Sequence, residues 1–209
     1  MKIDGAFLNE VSALRSQYPH EAFNLFAVLR GRSDEVRLHS RFIGELLDPS
    51  GSHGMGRALL DVFLKLIGED PQQIHNPTIR REWKRIDLCI ESDERIVVVE
   101  NKVFARDQDG QLDRYYEEAR KRRQVVVLVY LTLDGKLPSG DSLGGLRPDV
   151  IENRLNCVSY EQDLVSWLER GIELVGDREH LRSSLCQYLE LVKEITGCLL
   201  YTSPSPRDS

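Results

Sequence analysis

Two apolar runs separated by three polar residues constrain this chain more than any other stretch. Residues 86–91 (IDLCIE) and 95–102 (RIVVVENK) are rich in Ile, Val and Leu, and Ser92-Asp93-Glu94 between them has the polarity of a tight turn. The pattern predicts a β-hairpin. Successive side chains alternate across a strand, so Glu100 and Lys102 share one face and Asn101 takes the other. Closing the hairpin about Asp93 sets Asp87 beside Val99 and Glu100, within a residue of slip. An Asp, a Glu and a Lys therefore converge at one end of an apolar hairpin.

Two neighbouring carboxylates repel, and apolar strands around them make charge more costly still. A divalent cation relieves that conflict, and hard oxygen ligands are what Mg²⁺ prefers. A lysine beside the pair can hold a water or an anionic phosphate oxygen. Asp87 followed by Glu100-Asn101-Lys102 resembles the D…(D/E)xK core of the PD-(D/E)XK nuclease superfamily, with Ile86 where the namesake proline would stand. The following Gln111-Leu112-Asp113-Arg114-Tyr115 is similar to the QxxxY element of its exonuclease and recombination-helicase branch. The resemblance implies that Asp87 and Glu100 ligate Mg²⁺ (Mn²⁺ being the other candidate), together with the backbone carbonyl of Asn101. It implies further that Lys102 orients the attacking water and that Gln111 and Tyr115 position nucleophile and substrate.

A third stretch adds to this. Residues 34–48 read as a helix, capped by Ser33 and ended by Pro49, with Leu38, Phe42, Ile43 and Leu46 as its apolar stripe. At 100° per residue Glu35 and His39 fall within that stripe, and Glu45 falls off it. Taken alone, such a pair reads as two satisfied buried partners. The superfamily, however, aims an acidic residue or a histidine from the helix before its sheet at the metal site. EVRLHSRFIGELLDPSGSH also looks like the opening of a bacterial subfamily. The resemblance thus makes Glu35 and His39 auxiliary site residues, with Glu45 a weaker candidate.

The composition is 41% hydrophobic and 30% charged, ordinary for a globular chain of 209 residues. A net charge of −6 excludes a protein that coats nucleic acid with its whole surface, so binding would need a local basic face. Arg80, Arg81, Lys84 and Arg85 before the hairpin and the run 120–123 (RKRR) are the candidates, with Arg81, Lys84 and Arg85 assigned to nucleic acid. Four scattered cysteines signal neither zinc nor a disulfide framework, and Cys89 and Cys186 read as buried apolar side chains. The Gly-rich loop 48–56 lacks a Walker lysine, and its His53 reads as exposed. Without an apolar run of about 20 residues or a signal peptide, the expectation is a cytoplasmic protein that does not enter membranes.

Helices are expected over 4–17, 20–30, 57–67, about 108–122, 161–175 and 177–196. Strands are expected over 78–84, 124–132 and near 156–160, and a Gly- and Pro-rich loop over 134–149. The chain divides into N-terminal helices (1–77), a nuclease core (78–160), C-terminal helices (161–197) and a tail (198–209). That tail resembles a translated sequencing adapter, so it is expected to be non-native, with the natural protein continuing past Gly197. The expected fold is α/β, a restriction-endonuclease-like αβββαβ core with a mixed sheet and flanking helices. The expected function is Mg²⁺-dependent hydrolysis of phosphodiester bonds, in DNA before RNA. A non-catalytic nucleic-acid-binding or assembly module retaining the fold is the competing reading. A carboxylate-pair hydrolase acting on sugars would need neither Lys102 nor basic flanks.

Overall fold

A computed structural model describes residues 23–197. The helix expected over 4–17, the first turn of the one over 20–30 and the tail 198–209 lie outside the described residues. The two apolar runs form strands β2 (Ile86–Glu91) and β3 (Arg95–Lys102), with every β3 residue after Arg95 buried. Ser92 closes the turn between them: its N–H and hydroxyl both donate to the Arg95 carbonyl, at 2.8 and 3.0 Å. The register pairs Leu88 with Val99, which brings Asp87 level with Glu100.

Strand β1 (Thr78–Trp83) pairs antiparallel with β2, and β4 (Val125–Thr132) and β5 (Leu155–Ser159) extend β3 in parallel. The sheet is thus mixed, in the order β1-β2-β3-β4-β5. A two-residue turn, Lys84-Arg85, joins β1 to β2 with φ of +54° and +68°. Positive φ at both central positions is what lets a tight hairpin follow the strands' right-handed twist. Parallel strands need a crossover, and helix α4 (Gln111–Arg120) supplies the one from β3 to β4.

The expected site-facing helix is a composite. It opens with a π-helical segment, Glu35–Ser40, and continues as an α-helix, Arg41–Leu47. Asp34 caps it, accepting from the Arg37 N–H at 2.8 Å, so the expected Ser33 cap is displaced by one residue. We number the α-helices α1 (Leu25–Leu29), α2 (Arg41–Leu47) and α3 (Ala58–Leu66) before the sheet. After β4 come α5 (Gly140–Leu143), α6 (Pro148–Arg154), α7 (Val165–Val175) and α8 (Glu179–Ile195). Helix α5 lies inside the loop expected over 134–149, and α6 begins at its end and runs through residues for which no element was expected. Ser139 caps the first and Pro148 starts the second, so the punctuating residues open helices there.

The alternation along β3 divides two cores. Val97 and Val99 join Leu88 and Ile90 against α2, α3, α7 and α8, while Ile96 and Val98 join Cys89 against α4 and α6. Carried two residues further, the same alternation sends Asn101 toward the first layer and Glu100 and Lys102 toward the second. Among the described residues no helix is long and apolar enough to cross a membrane. Helix α2 approaches β2 closely through Gly44, where a Cβ would meet the Leu88 side chain at 2.6 Å and Arg81 at 3.1 Å. Leu88 is fully buried and has little room to yield. Gly44→Val is therefore expected to cost about 1–3 kcal/mol of stability through overpacking, read from the midpoint of urea denaturation. An unchanged midpoint would show that the layer can shift there.

Candidate active site

At the end of the hairpin the strands run out into a cleft of about 830 Å³, lined by the β1–β2 turn, the ends of β2 and β3, the start of α4 and Glu35. Asp87, Glu100, Lys102, Gln111 and Tyr115 all face it. Lys102 Nζ stands 2.8 Å from Glu100 Oε1 and 3.3 Å from the Arg106 carbonyl. Gln111 Nε2 donates to the same Oε1 at 2.7 Å and to the Tyr115 hydroxyl at 3.0 Å. The Tyr115 hydroxyl in turn donates to the Arg85 carbonyl at 2.5 Å. Residues one helical turn apart on α4 thus reach one carboxylate and the neighbouring hairpin turn. Burial, with Glu100 nearby, pushes the Tyr115 phenol up to about 12, so it stays a donor.

Asn101 works on the other face. Its N–H donates to Asp87 Oδ2 at 2.9 Å, fastening β2 to β3 beside the carboxylates. Its side-chain amide donates to Ser40 Oγ at 3.0 Å and to the Glu35 carbonyl at 3.3 Å, and its carbonyl oxygen accepts from the Tyr160 hydroxyl at 2.7 Å. Sequence reading missed Ser40 and Tyr160. The alternation that sends the Asn101 side chain toward the first core was the available signal.

Glu35 reaches the cleft, but through the backbone. Its Oε1 accepts from the consecutive N–H groups of Val103, Phe104 and Ala105, at 2.7, 2.6 and 2.7 Å. His39 does not reach it. One ring nitrogen bonds the Tyr188 hydroxyl at 2.9 Å and the other the Arg32 carbonyl at 2.8 Å, inside the first core. With both ring nitrogens bonded, His39 is a satisfied core side chain whose pKa burial lowers, and four residues' spacing from Glu35 did not separate these fates. Glu45 accepts from the Ser52 N–H and hydroxyl, and half-buried His53 folds back on the Asp48 carbonyl, so both brace the Gly-rich loop.

The basic candidates scatter. Lys84 and Arg85 line the cleft on their strained turn. Arg81 instead lies against α2, its guanidinium 3.5 Å from the Arg41 carbonyl. Arg80, Arg122 and Arg123 converge at 2.8, 2.9 and 2.8 Å on buried Glu91, at the opposite end of the hairpin. Arg120 and Lys121 pair with Glu117 and Glu118 one turn back. The run 120–123 is thus committed to ion pairs, because a buried carboxylate needs partners.

Desolvation sets the electrostatics of the pair. Burial raises Asp87 to about 6, with the Asn101 N–H and Lys102 opposing. Burial first and then the Asp87 charge raise Glu100 to about 8, against Lys102. Glu100 Oε2 is buried and has no hydrogen-bond partner. Among the described residues no three His, Cys, Asp or Glu side chains gather as a metal cluster. A cation here would meet two carboxylates, one with an orphaned oxygen, and fill its remaining positions with waters. That donor set fits Mg²⁺, which keeps several waters.

The raised acids make stability depend on pH. A carboxyl whose pKa is higher folded than unfolded holds its proton better in the folded chain, so stability falls as pH rises through that interval. Metal-free protein is expected to lose stability from about pH 5 to about pH 8, the interval Glu100 spans. Glu100→Gln is expected to restore at least about 1 kcal/mol at pH 8, since a tenfold difference in proton affinity alone corresponds to about 1.4 kcal/mol. Thermal melts with EDTA across that range check this. A melt rising toward pH 8 would contradict it.

A family model for the PD-(D/E)XK nuclease superfamily matches residues 23–190. No curated protein and no solved structure matches the chain. With the match spanning most of its length, the chain belongs to the PD-(D/E)XK nuclease superfamily.

Proposed function

We propose that this member of the superfamily hydrolyses phosphodiester bonds in DNA with the help of Mg²⁺. The observation that carries the reading is the partnerless Glu100 Oε2 beside Asp87, both held where burial resists their charge. Asp87 and Glu100 would hold the cation, with the Asn101 carbonyl as a third oxygen donor. Bound there, Mg²⁺ lowers the pKa of a coordinated water and offsets charge building on the phosphate.

The chain's own groups divide the remaining work. Gln111 occupies Glu100 Oε1 and leaves Oε2 without a partner, the oxygen that would hold a cation. Tyr115, held on the Arg85 carbonyl, fixes Gln111 in that orientation. Lys102 can leave Glu100 Oε1 to orient a water or hold a phosphate oxygen, because its second contact is only to a carbonyl. Glu35 fixes the backbone that follows Lys102, which preorganises the lysine. Lys84 and Arg85 face the cleft for contacts to the sugar-phosphate chain. Arg81 and His39 have no part in this account.

Cleavage of supercoiled and linear DNA with Mg²⁺, Mn²⁺ or EDTA tests the reading. Cutting is expected with either ion and not with EDTA. Asp87→Ala and Lys102→Ala are each expected to lower the rate by about 10²-fold or more, with the folded structure retained by circular dichroism. Binding without cutting under every metal condition would favour the non-catalytic module. Cutting that survives both substitutions would contradict the assigned roles.

A further inference from the structure

A second depression, of about 530 Å³, lies beyond the cleft at the C-terminal ends of β3 and β4. The two share Lys102 and Ala105 in their walls, so the surface runs from one into the other past the lysine. Phe104 stands in this second depression and is 61% exposed. A large apolar ring left in water is notable when its backbone is held as firmly as this one. The three consecutive N–H bonds to Glu35 fix Val103, Phe104 and Ala105 in place, so the ring is presented from a set position.

The charges beside it are available. Arg106 and Lys136 line the same depression, both exposed, and neither side chain makes an ion pair among the described residues. Two carboxylates lie nearby, and both support loops. Asp107 accepts from the Tyr130 hydroxyl at 2.6 Å and the Ser139 N–H at 2.8 Å. Asp134 accepts from the Lys136 N–H at 3.3 Å. Lys102, which ion-pairs with Glu100 in the cleft, stands in the shared wall as a third cation, in a chain whose net charge is −6.

An exposed ring with unpaired cations around it has the chemistry of a single-stranded nucleic-acid path, in which bases stack on aromatics and cations follow the phosphates. The bases inside a duplex already stack on one another and offer the ring no free face. We propose that the substrate strand continues from the catalytic cleft past Lys102 into this depression as a single strand, with a base stacked on Phe104 and phosphates on Arg106 and Lys136. The inference rests on the nuclease reading and narrows its substrate to a strand that is unpaired where it leaves the carboxylates.

Fluorescence anisotropy in EDTA tests this without cleavage, using a labelled oligothymidylate and a blunt duplex of equal length. The oligothymidylate is expected to bind more tightly than the duplex. Phe104→Ala should weaken it at least about fivefold, the loss of one base stack, and leave duplex binding unchanged. Phe104→Tyr should restore it, and Phe23→Ala, at an equally exposed ring outside the depression, should have no effect. Arg106→Ala with Lys136→Ala should reduce the slope of log affinity against log salt by about 1.4, at roughly 0.7 per phosphate contact on a single strand. Single-strand affinity unaltered by Phe104→Ala, equal losses on both substrates, or no binding of either would overturn the proposal. Because binding is read without metal, these results stand apart from cleavage. A parent enzyme that cuts DNA while Phe104→Ala binds normally would remove the groove and leave the nuclease, and the converse would do the reverse.

Discussion

The hydrogen bond from the Asn101 N–H to Asp87 Oδ2 ties β2 to β3 where the sheet runs out, between two residues that line the cleft. The same residue's side chain is held by Ser40, the Glu35 carbonyl and Tyr160, which arrive from segments on either side of the sheet in sequence. Glu100 and Lys102 inherit their directions from that anchorage, since alternation leaves them nowhere else to point. One buried amide with three partners therefore sets the geometry of the acidic pair. A buried network of this kind is strong only while every member is satisfied, and this one is.

Charge explains why the arrangement is asymmetric. Glu91, at the far end of the hairpin, is buried among three arginines and its pKa falls. Asp87 and Glu100, at the near end, share one lysine and their pKa values rise. The same strands thus carry a neutralised carboxylate and an under-neutralised pair. The first holds the structure together; the second stores a demand for positive charge. Arg80, Arg122 and Arg123 are engaged by Glu91, and among the described residues Lys102 is the one cation that ion-pairs with Glu100, which leaves the acidic pair room for a divalent ion.

The strands and their faces were legible because long runs of Ile, Val and Leu leave few choices of period, and Asp87, Glu100, Lys102, Gln111 and Tyr115 do meet. Partners were less legible. A helical wheel put Glu35 and His39 on one face, but it cannot say that one bonds the backbone after β3 and the other Tyr188 on α8. Nor could a cluster of arginines announce that it surrounds Glu91, an acid brought close only by the sheet's turn. Helices α5 and α6 were missed because Gly and Pro mark helix starts as well as loops. Phe104 drew no notice at all, since exposure of a lone aromatic is invisible in sequence.

The central claim is that Asp87 and Glu100 are kept in an unfavourable state that a divalent cation relieves. Calorimetric titration of Mg²⁺ into the protein at pH 7, in two buffers of different ionisation enthalpy, tests it most directly. Metals require deprotonated ligands, so binding should release close to one proton per ion, roughly the occupancy of a carboxyl raised to about 8. Glu100→Gln should remove the proton release and weaken binding. Tight binding with no proton released, or binding indifferent to Glu100→Gln, would contradict the account.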